Sequence, residues 1–480
     1  MAQEVELKLE MTAEGADRLE AATLLPGAPR TVRQHAVYFD TPGHALGQAG
    51  WSLRIRDDGQ RRVQTIKAGG AAAGLFVRGE WECAVAGDEP ILDDATPLVA
   101  LLGETPDALA PLFVVENERR LWRGEGMEIA LDRGRVIAGE REAPFCEVEL
   151  EADGADPVAL FALARRIDAL APVQPGVLSK AERGYRLLGP APAASKAGPV
   201  RLAATMRAAE AFQAIAGECL RHLRLNVPLV LDHQDGTALH QARVAIRRLR
   251  SALSIHKPML DGARAAALND ELRWLAGALG DARDLDVLIA RAGDSPLRAR
   301  MLPARTEAFA QAAVALRSDR ARALMLDIVE WVAIGDWLTD PAGEERRALP
   351  VAAFAAGALD RFRRKVRKDG RDLEQLDDEA RHDLRKAGKK LRYATEFFAS
   401  LYDGKQEKRR LKRFAAALEG LQDQLGALND LAAAPDLLRR LGLSDEAEAR
   451  HLVEGGRKAD LLDAAAEAHD ALVDARRFWR

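Results

Sequence analysis

MAQEVELKLE, residues 1–10, alternates charged and aliphatic side chains: Glu4, Glu6 and Lys8 interleave with Val5, Leu7 and Leu9. Successive side chains of a β-strand point to opposite faces, so the charges share one face and the aliphatics the other. Two carboxylates and an ammonium then stand about 6–7 Å apart along the strand, from the usual rise per residue. The aliphatic face can pack on a core. A solvated edge strand can carry the same pattern, so the reading turns on whether other strands repeat it.

They do. HAVYFD (35–40), SLRIR (52–56), RVQTIK (62–67), FVRGEWECAV (76–85), MEIALD (127–132) and FCEVELE (145–151) all alternate with period two. One side of these segments holds Arg54 and Arg56, Lys67, Arg78 with Glu80 and Glu82, and Glu147 with Glu149 and Glu151. Their alternate neighbours are mostly apolar. A sheet with one solvated face would mix Lys, Thr and Ser on its polar side, whereas here that side is nearly all charged. A closed antiparallel sheet with a charged lumen and an apolar outer face under helices is the economical arrangement, and about eight strands can enclose one small ligand. Clustered carboxylates suit hard cations such as Mg²⁺ or Mn²⁺. Interleaved Arg and Lys suit phosphate oxygens. Together they have the composition of a phosphoryl-transfer site.

The chain of 480 residues predicts two to four domains. Residues 1–190 hold 31 acidic against 21 basic side chains, and the remainder 43 against 49, so each half suggests a different partner. GPAPAASKAGP (189–199) reads as a linker between a domain over 1–188 and another over 200–480. The first is α+β, with PVALFALARRIDAL (157–170) helical. The second is all-helical, rich in Ala, Leu, Arg and Glu, and Pro228, Pro258, Pro296, Pro303, Pro341, Pro350 and Pro435 are expected to break its helices. Cys83, Cys146 and Cys219 lack metal-ligand spacing and read as reduced thiols. With no signal pattern and no run near 18 apolar residues, a soluble cytoplasmic protein is expected.

The helical half repeats itself. His240, Arg243, Arg247, Arg248 and Arg250 match His382, Arg385, Lys389, Lys390 and Arg392, and LGDARDL (279–285) matches LGALNDL (425–431). Two related halves, about 200–340 and 350–480, account for both matches. Each set forms a basic stripe on one helix face, and RFRRKVRK (361–368) adds charge before the second copy. Such repulsion in duplicate suggests a bound anion. A solvated face with acidic partners such as Asp284 and Asp430 is the alternative. Each His is either structural or, near pH 6.5, a further cation.

ExExK at 4–8, YFDTP (38–42), LRIR (53–56), TIK (65–67), RGEWE (78–82), IALDRG (129–134), EVELE (147–151) and SKAERGY (179–185) resemble, in order, the CYTH superfamily of triphosphate tunnel metalloenzymes. The resemblance implies an eight-stranded antiparallel tunnel that binds a linear triphosphate and hydrolyses or rearranges it with a divalent metal. Carried over position by position, it implies that Glu4, Glu6, Glu147 and Glu149 hold metal. Lys8, Arg54, Arg56, Lys67, Arg78, Arg119 and Lys180 would grip phosphates, with Arg33 as a further contact. Glu80, Glu82 and Asp132 would bind a second metal or position the water, and Lys8 would also stabilise the leaving pyrophosphate. Arg119 and Arg120 are adjacent, and strand parity lets only one face inward. H-x2-R-x3-[RK]-[RK]-L-R, twice, followed by LGxxxD resembles the CHAD domain, which implies two pseudo-symmetric helical bundles around a basic groove for inorganic polyphosphate. The expected activity is therefore metal-dependent hydrolysis of inorganic triphosphate beside a polyphosphate-binding domain, in the cytoplasm, where polyphosphate granules are a candidate location. Adenylate cyclase, thiamine- or nucleoside-triphosphatase activity on the same tunnel, and a non-catalytic polyphosphate-targeting role are the alternatives. Scarce aromatics argue against nucleic-acid stacking, and no membrane partner is expected.

Overall fold

The structure, a computed structural model, describes residues 6–68, 75–76, 79–92, 98–102, 109–152, 156–191, 193–260, 262–446, 449 and 458–480. Its sheet contains β1 (Glu6–Glu10), β2 (Arg30–Asp40), β3 (Ser52–Asp57), β4 (Arg62–Lys67), β5 (Leu75–Phe76), β6 (Glu80–Ala84), β7 (Ala110–Gly124), β8 (Met127–Ala138), β9 (Arg141–Ala152) and β10 (Gln174–Pro175). The order is β10-β1-β9-β8-β7-β2-β3-β4-β6, and every pairing is antiparallel. Among the described residues eight strands are five residues or longer, and the two-residue β5 and β10 bring the total to ten. β1 offers its second edge to both β10 and β5, while β6, the next strand after β5, pairs with β4. Consecutive strands thus meet both ends of the ribbon, and the sheet wraps around an interior.

Parity sorts the side chains. Leu7, Leu9, Val148 and Leu150 are fully buried on the outer face, where β1 and β9 meet the helix Pro157–Leu170. Phe39, Leu53, Ile55 and Ile66 form a second outer cluster with Leu46 and Leu98. Inside, one end is filled by Ala36, Tyr38, Phe113, Val115, Val136 and Phe145, against which Ala181 and Tyr185 of the helix Lys180–Leu188 pack. The rest of the interior is charged. β7, the longest strand, lacks a clean period-two signal because its inward face changes from Phe113 and Val115 to Asn117 and Arg119 along its length.

The chain divides into two compact units, Met1–Ala193 with Ser318–Ile334, and Ala194–Arg317 with Gly335–Arg480. The helix Asp319–Ile334 therefore belongs with the sheet. Arg165 of the helix Pro157–Leu170 pairs with its Asp327 at 2.7 Å and with its Glu330, and Arg322 pairs with Asp168 at 2.7 Å. The second unit is helical, and its two repeat-bearing helices, Gly236–His256 and Asp378–Phe398, pack on each other. Three of the expected helix breaks are absent. Pro228, Pro303 and Pro435 lie inside the helices Ala208–His233, Pro296–Arg317 and Lys405–Arg440. A proline inside a helix costs about 3 kcal/mol or more. At Pro228 the buried Val227, Leu229 and Val230 hold the chain helical across it, as Ala434, Leu437 and Leu438 do at Pro435. Among the described residues no helix is long and apolar enough to cross a membrane.

Candidate active site in the sheet and basic cavity in the helices

Cross-strand register assembles the charged interior. Glu149 stands opposite Lys8, and Asp132 opposite both Glu147 and Arg119. Lys8 Nζ lies 2.9 Å from Glu149 Oε1, 3.1 Å from Glu147 Oε1 and 3.9 Å from Glu6 Oε1. Arg119 forks onto Asp132, with Nε 2.8 Å from Oδ1 and Nη2 2.6 Å from Oδ2, and also meets Glu149. Its neighbour Arg120 faces out to Glu20 at 2.9 Å.

The SKAERGY segment explains itself residue by residue. Ser179 Oγ accepts from Glu182 N and the Glu182 carboxylate accepts from Ser179 N, a capping box that starts the helix Lys180–Leu188. Lys180 then enters the interior, with Nζ 2.7 Å from Asp132 Oδ2, 2.6 Å from Glu147 Oε1 and 3.0 Å from Glu149 Oε1. Arg183 reaches Glu10 at 2.6 Å and Glu147 at 3.5 Å. Tyr185 donates from its hydroxyl to Asp40 Oδ2 at 2.7 Å. Asp40 also accepts from the backbone of Thr41, Leu46 and Gly47, so within the YFDTP motif this residue anchors a turn. A Cβ on Gly184 would lie 2.1 Å from the Phe113 ring. Gly184→Ala is therefore expected to lower the urea-unfolding stability by about 1–3 kcal/mol, as overpacking does. Gly43→Ala, with open space around it, should leave that stability unchanged.

Burial and charge compete here. Burial opposes ionisation of all three inner carboxylates. Lys180 and Arg119 nevertheless bring Asp132 down to about 2, and Lys180 and Lys8 hold Glu147 and Glu149 below the ordinary range. Glu6 moves the other way, raised by burial and by Glu149. Asp132, Glu147 and Glu149 each present an oxygen, all within 4.8 Å of one another. Glu147 Oε2 is buried without a hydrogen bond. An all-oxygen donor set with an unsatisfied lone pair fits a hard divalent cation, so this cluster could bind a metal.

Above the cluster lies a cavity of about 510 Å³. Lys8, Arg54, Arg56, Lys67, Arg119 and Lys180 line it together with Glu6, Glu80, Glu82 and Glu149. Lys67 pairs with Glu80 at 2.9 Å, Arg56 with Glu82 at 3.6 Å, and Thr65 Oγ1 donates to Glu82 Oε1 at 2.9 Å. Asp132, expected beside Glu80 and Glu82, instead sits with Glu147 and Glu149, because register places it across from them. Arg33 does not join the cavity. It shares the outward parity of Phe39, its side chain is 89% exposed, and Gln34 takes the inward place. Glu4 and Arg78 lie outside the described residues. Tyr38 and Gln34 also line the cavity, and neither gives a sequence signal because neither is charged. Tyr38 Oη accepts from Arg54 at 3.4 Å.

In the helical unit Arg247, Arg250, Lys389 and Lys390 line a cavity of about 550 Å³ with Lys257, Arg273, Lys386 and Tyr393. His382 and Arg385 line a smaller one of about 250 Å³ beside Asn429. Arg243 is held by the Ala276 carbonyl at 2.7 Å. Burial, with Arg247 and Arg385 beside it, brings Lys389 down to about 7. His240 is not a cation at neutral pH: burial and Arg283 push it down to about 4. Arg248 leaves the stripe altogether. It is 5% exposed, ion-paired to Glu396 and stacked on the Tyr393 and Phe397 rings at 5.8 and 4.9 Å. Arg392 pairs with the same Glu396 at 3.0 Å.

The sequence matches the CYTH domain family over residues 2–185 and the CHAD domain family over residues 214–439. It is 31% identical over 205 residues to an inorganic triphosphatase of Haemophilus influenzae, a match over 39% of this chain and 55% of that one. The chain thus spans about half the length of that relative. It is 29% identical over 412 residues to an uncharacterized protein of Mycobacterium tuberculosis, covering 76% of this chain and 75% of that one. A crystal structure of the CHAD domain from the plant Ricinus communis covers 58% of this chain and 97% of its own, at 32% identity and a TM-score of 0.50. The wrapped antiparallel sheet and the duplicated helical unit are accordingly those of a chain that joins a CYTH domain to a CHAD domain.

Proposed function

We propose that the sheet hydrolyses inorganic triphosphate to pyrophosphate and phosphate with Mg²⁺ or Mn²⁺, and that the helical unit binds inorganic polyphosphate. The observation that carries the first part is the cavity lining. Cations face the carboxylate cluster across it, and the described lining is mostly charged, with Tyr38 its one aromatic residue, which supports a ligand made of phosphates over one carrying a base or thiazole ring. A metal held by Asp132, Glu147 and Glu149, with Glu4 and Glu6 as further donors, would neutralise phosphate-oxygen charge. Lys8, Arg54, Arg56, Lys67, Arg119 and Lys180 hold the phosphate chain in extension, Arg by paired N–H donors and Lys as point charges. Glu82 Oε1 accepts the proton of a water attacking the terminal phosphorus, and the P–O bond to the departing pyrophosphate breaks as Lys8 takes up its developing charge. The basic cavity around Arg247, Arg250, Lys389 and Lys390 supports the second part.

A substrate panel tests the reaction. With Mg²⁺ or Mn²⁺, kcat/KM for tripolyphosphate should exceed that for ATP by about tenfold or more, because the ester on the α-phosphate of ATP removes a charged oxygen and with it one charge-assisted contact of about 1.5–3 kcal/mol, and EDTA should remove turnover. Equal or faster ATP cleavage, or formation of cyclic AMP, would replace this reading with a nucleotide enzyme. The same assay showing no release from any triphosphate leaves a polyphosphate-binding role.

A further inference from the structure

We propose that the arginines gathered between the helix Val351–Asp369 and the segment 477–480 form an oxyanion site for a phosphate group. This site is distinct from the basic cavity of the repeat helices. Asp360, Arg363, Arg364, Arg367, Arg477 and Arg480 enclose a cavity of about 130 Å³, with five guanidiniums to one carboxylate. That carboxylate is already committed. Asp360 Oδ1 accepts from Trp479 Nε1 at 3.0 Å and lies 3.3 Å from Arg477, and Oδ2 meets Arg480. Arg363 spends one nitrogen on the Val473 carbonyl at 2.6 Å, and its Nε is buried without a partner. Neither Arg364 nor Arg367 makes an ion pair or hydrogen bond among the described residues.

Like charges at Arg363/Arg367 and Arg364/Arg367 work against the helix that carries them. Burial, with Arg477 and Arg367 nearby, lowers the Arg363 pKa, the mark of a guanidinium short of anions. The cluster is also held rigidly. Phe478 and Trp479, between the two tail arginines, are 0% and 5% exposed and pack edge-on against Phe414. Arginines fixed on a packed scaffold with open donor forks recognise tetrahedral phosphate, whether as orthophosphate or as a unit of a polyphosphate chain.

The Trp479 indole N–H, assigned by Trp479→Phe, reports on the site in the full chain by NMR. Inorganic phosphate, or long-chain polyphosphate alone, should shift this signal saturably. The first outcome identifies free phosphate as the ligand and the second a chain segment. Arg364→Ala/Arg367→Ala, both exposed, should weaken that titration at least tenfold and leave the thermal midpoint unchanged. Replacing Lys389 and Lys390 should not affect the phosphate titration. A signal that moves with neither anion, or moves equally in the double variant, overturns the proposal.

Discussion

Lys180→Met is expected to cost about 3–5 kcal/mol of unfolding stability in EDTA, the usual penalty for stranding buried partners of an ion network. Its ammonium touches Asp132, Glu147 and Glu149, whose side chains are 0%, 0% and 14% exposed. Methionine keeps the unbranched stem and removes the charged end, so the effect is chiefly electrostatic. Lys8 and Arg119 remain, but each already serves two of the three carboxylates. The variant also separates structure from metal binding. A divalent cation that binds only the folded cluster stabilises it by mass action, about 2.7 kcal/mol at a hundredfold excess over Kd. Mg²⁺ or Mn²⁺ should therefore raise the melting temperature of the variant more than that of the parent, since the cation takes the place of the lost ammonium. Turnover should remain abolished, because the phosphate contact is gone. An unchanged midpoint in EDTA would show that the network is not what holds the helix Lys180–Leu188 in place, and equal metal shifts in both proteins would put the cation elsewhere.

Strand parity makes much of this site legible in the sequence. Glu6, Lys8, Arg54, Arg56, Lys67, Glu80, Glu82, Glu147 and Glu149 alternate with residues of opposite character, and that alternation alone places them on one face. Parity cannot choose between adjacent like residues, so Arg119 and Arg120 are separated only by the register that sets Arg119 against Asp132. Nor does it say which side of a strand is inward where both sides are mixed, and Arg33, which shares the outward parity of Phe39, lies on such a strand. The grouping of Asp132 with Glu147 and Glu149 depends on pairing between β8 and β9, which is a non-local property. In the helical half a stripe of basic residues at helical spacing looks uniform from sequence. Arg248 differs from Arg247 by one 100° step, which aims it at Glu396 and two aromatic rings and away from solvent. The helix Asp319–Ile334 reads as one more member of the helical half; the ion pairs from Arg165 and Asp168, with its packing on the helix Pro157–Leu170 and β10, show that it goes with the sheet.

Long-chain polyphosphate affinity is expected to fall about tenfold between about pH 7 and pH 9, because binding takes up a proton and each unit of pKa shift on binding is worth a factor of about ten. Lys389 is the group responsible. Burial is the main reason its pKa drops to about 7, and Arg247, Arg385 and Arg243 push further in the same direction, against Asp430. Lys390 is lowered too, by burial and by Lys365, Arg250, Lys386 and Arg361. In the free protein above pH 7 Lys389 is therefore mostly neutral. A polyanion laid along Arg247, Arg250 and Lys390 reverses the local field and draws the proton back. Binding thus takes up a proton, and affinity declines as pH rises past the free pKa until it reaches the bound one. The opposite sign would require the ammonium to lose its proton on meeting an anion, which the charge balance forbids. The internal units of a long polyphosphate chain are strong acids, ionised throughout this range, and end groups are a small fraction of the chain, so the range above pH 7 reports the protein's contribution. Calorimetric titrations in buffers of different ionisation enthalpy would count the proton directly. Lys389→Met should bind more weakly at pH 7, lose the proton uptake and flatten the profile. Lys389→Arg, charged throughout, should flatten it while keeping affinity at pH 9. A steep profile that survives both substitutions would move the titrating group away from Lys389.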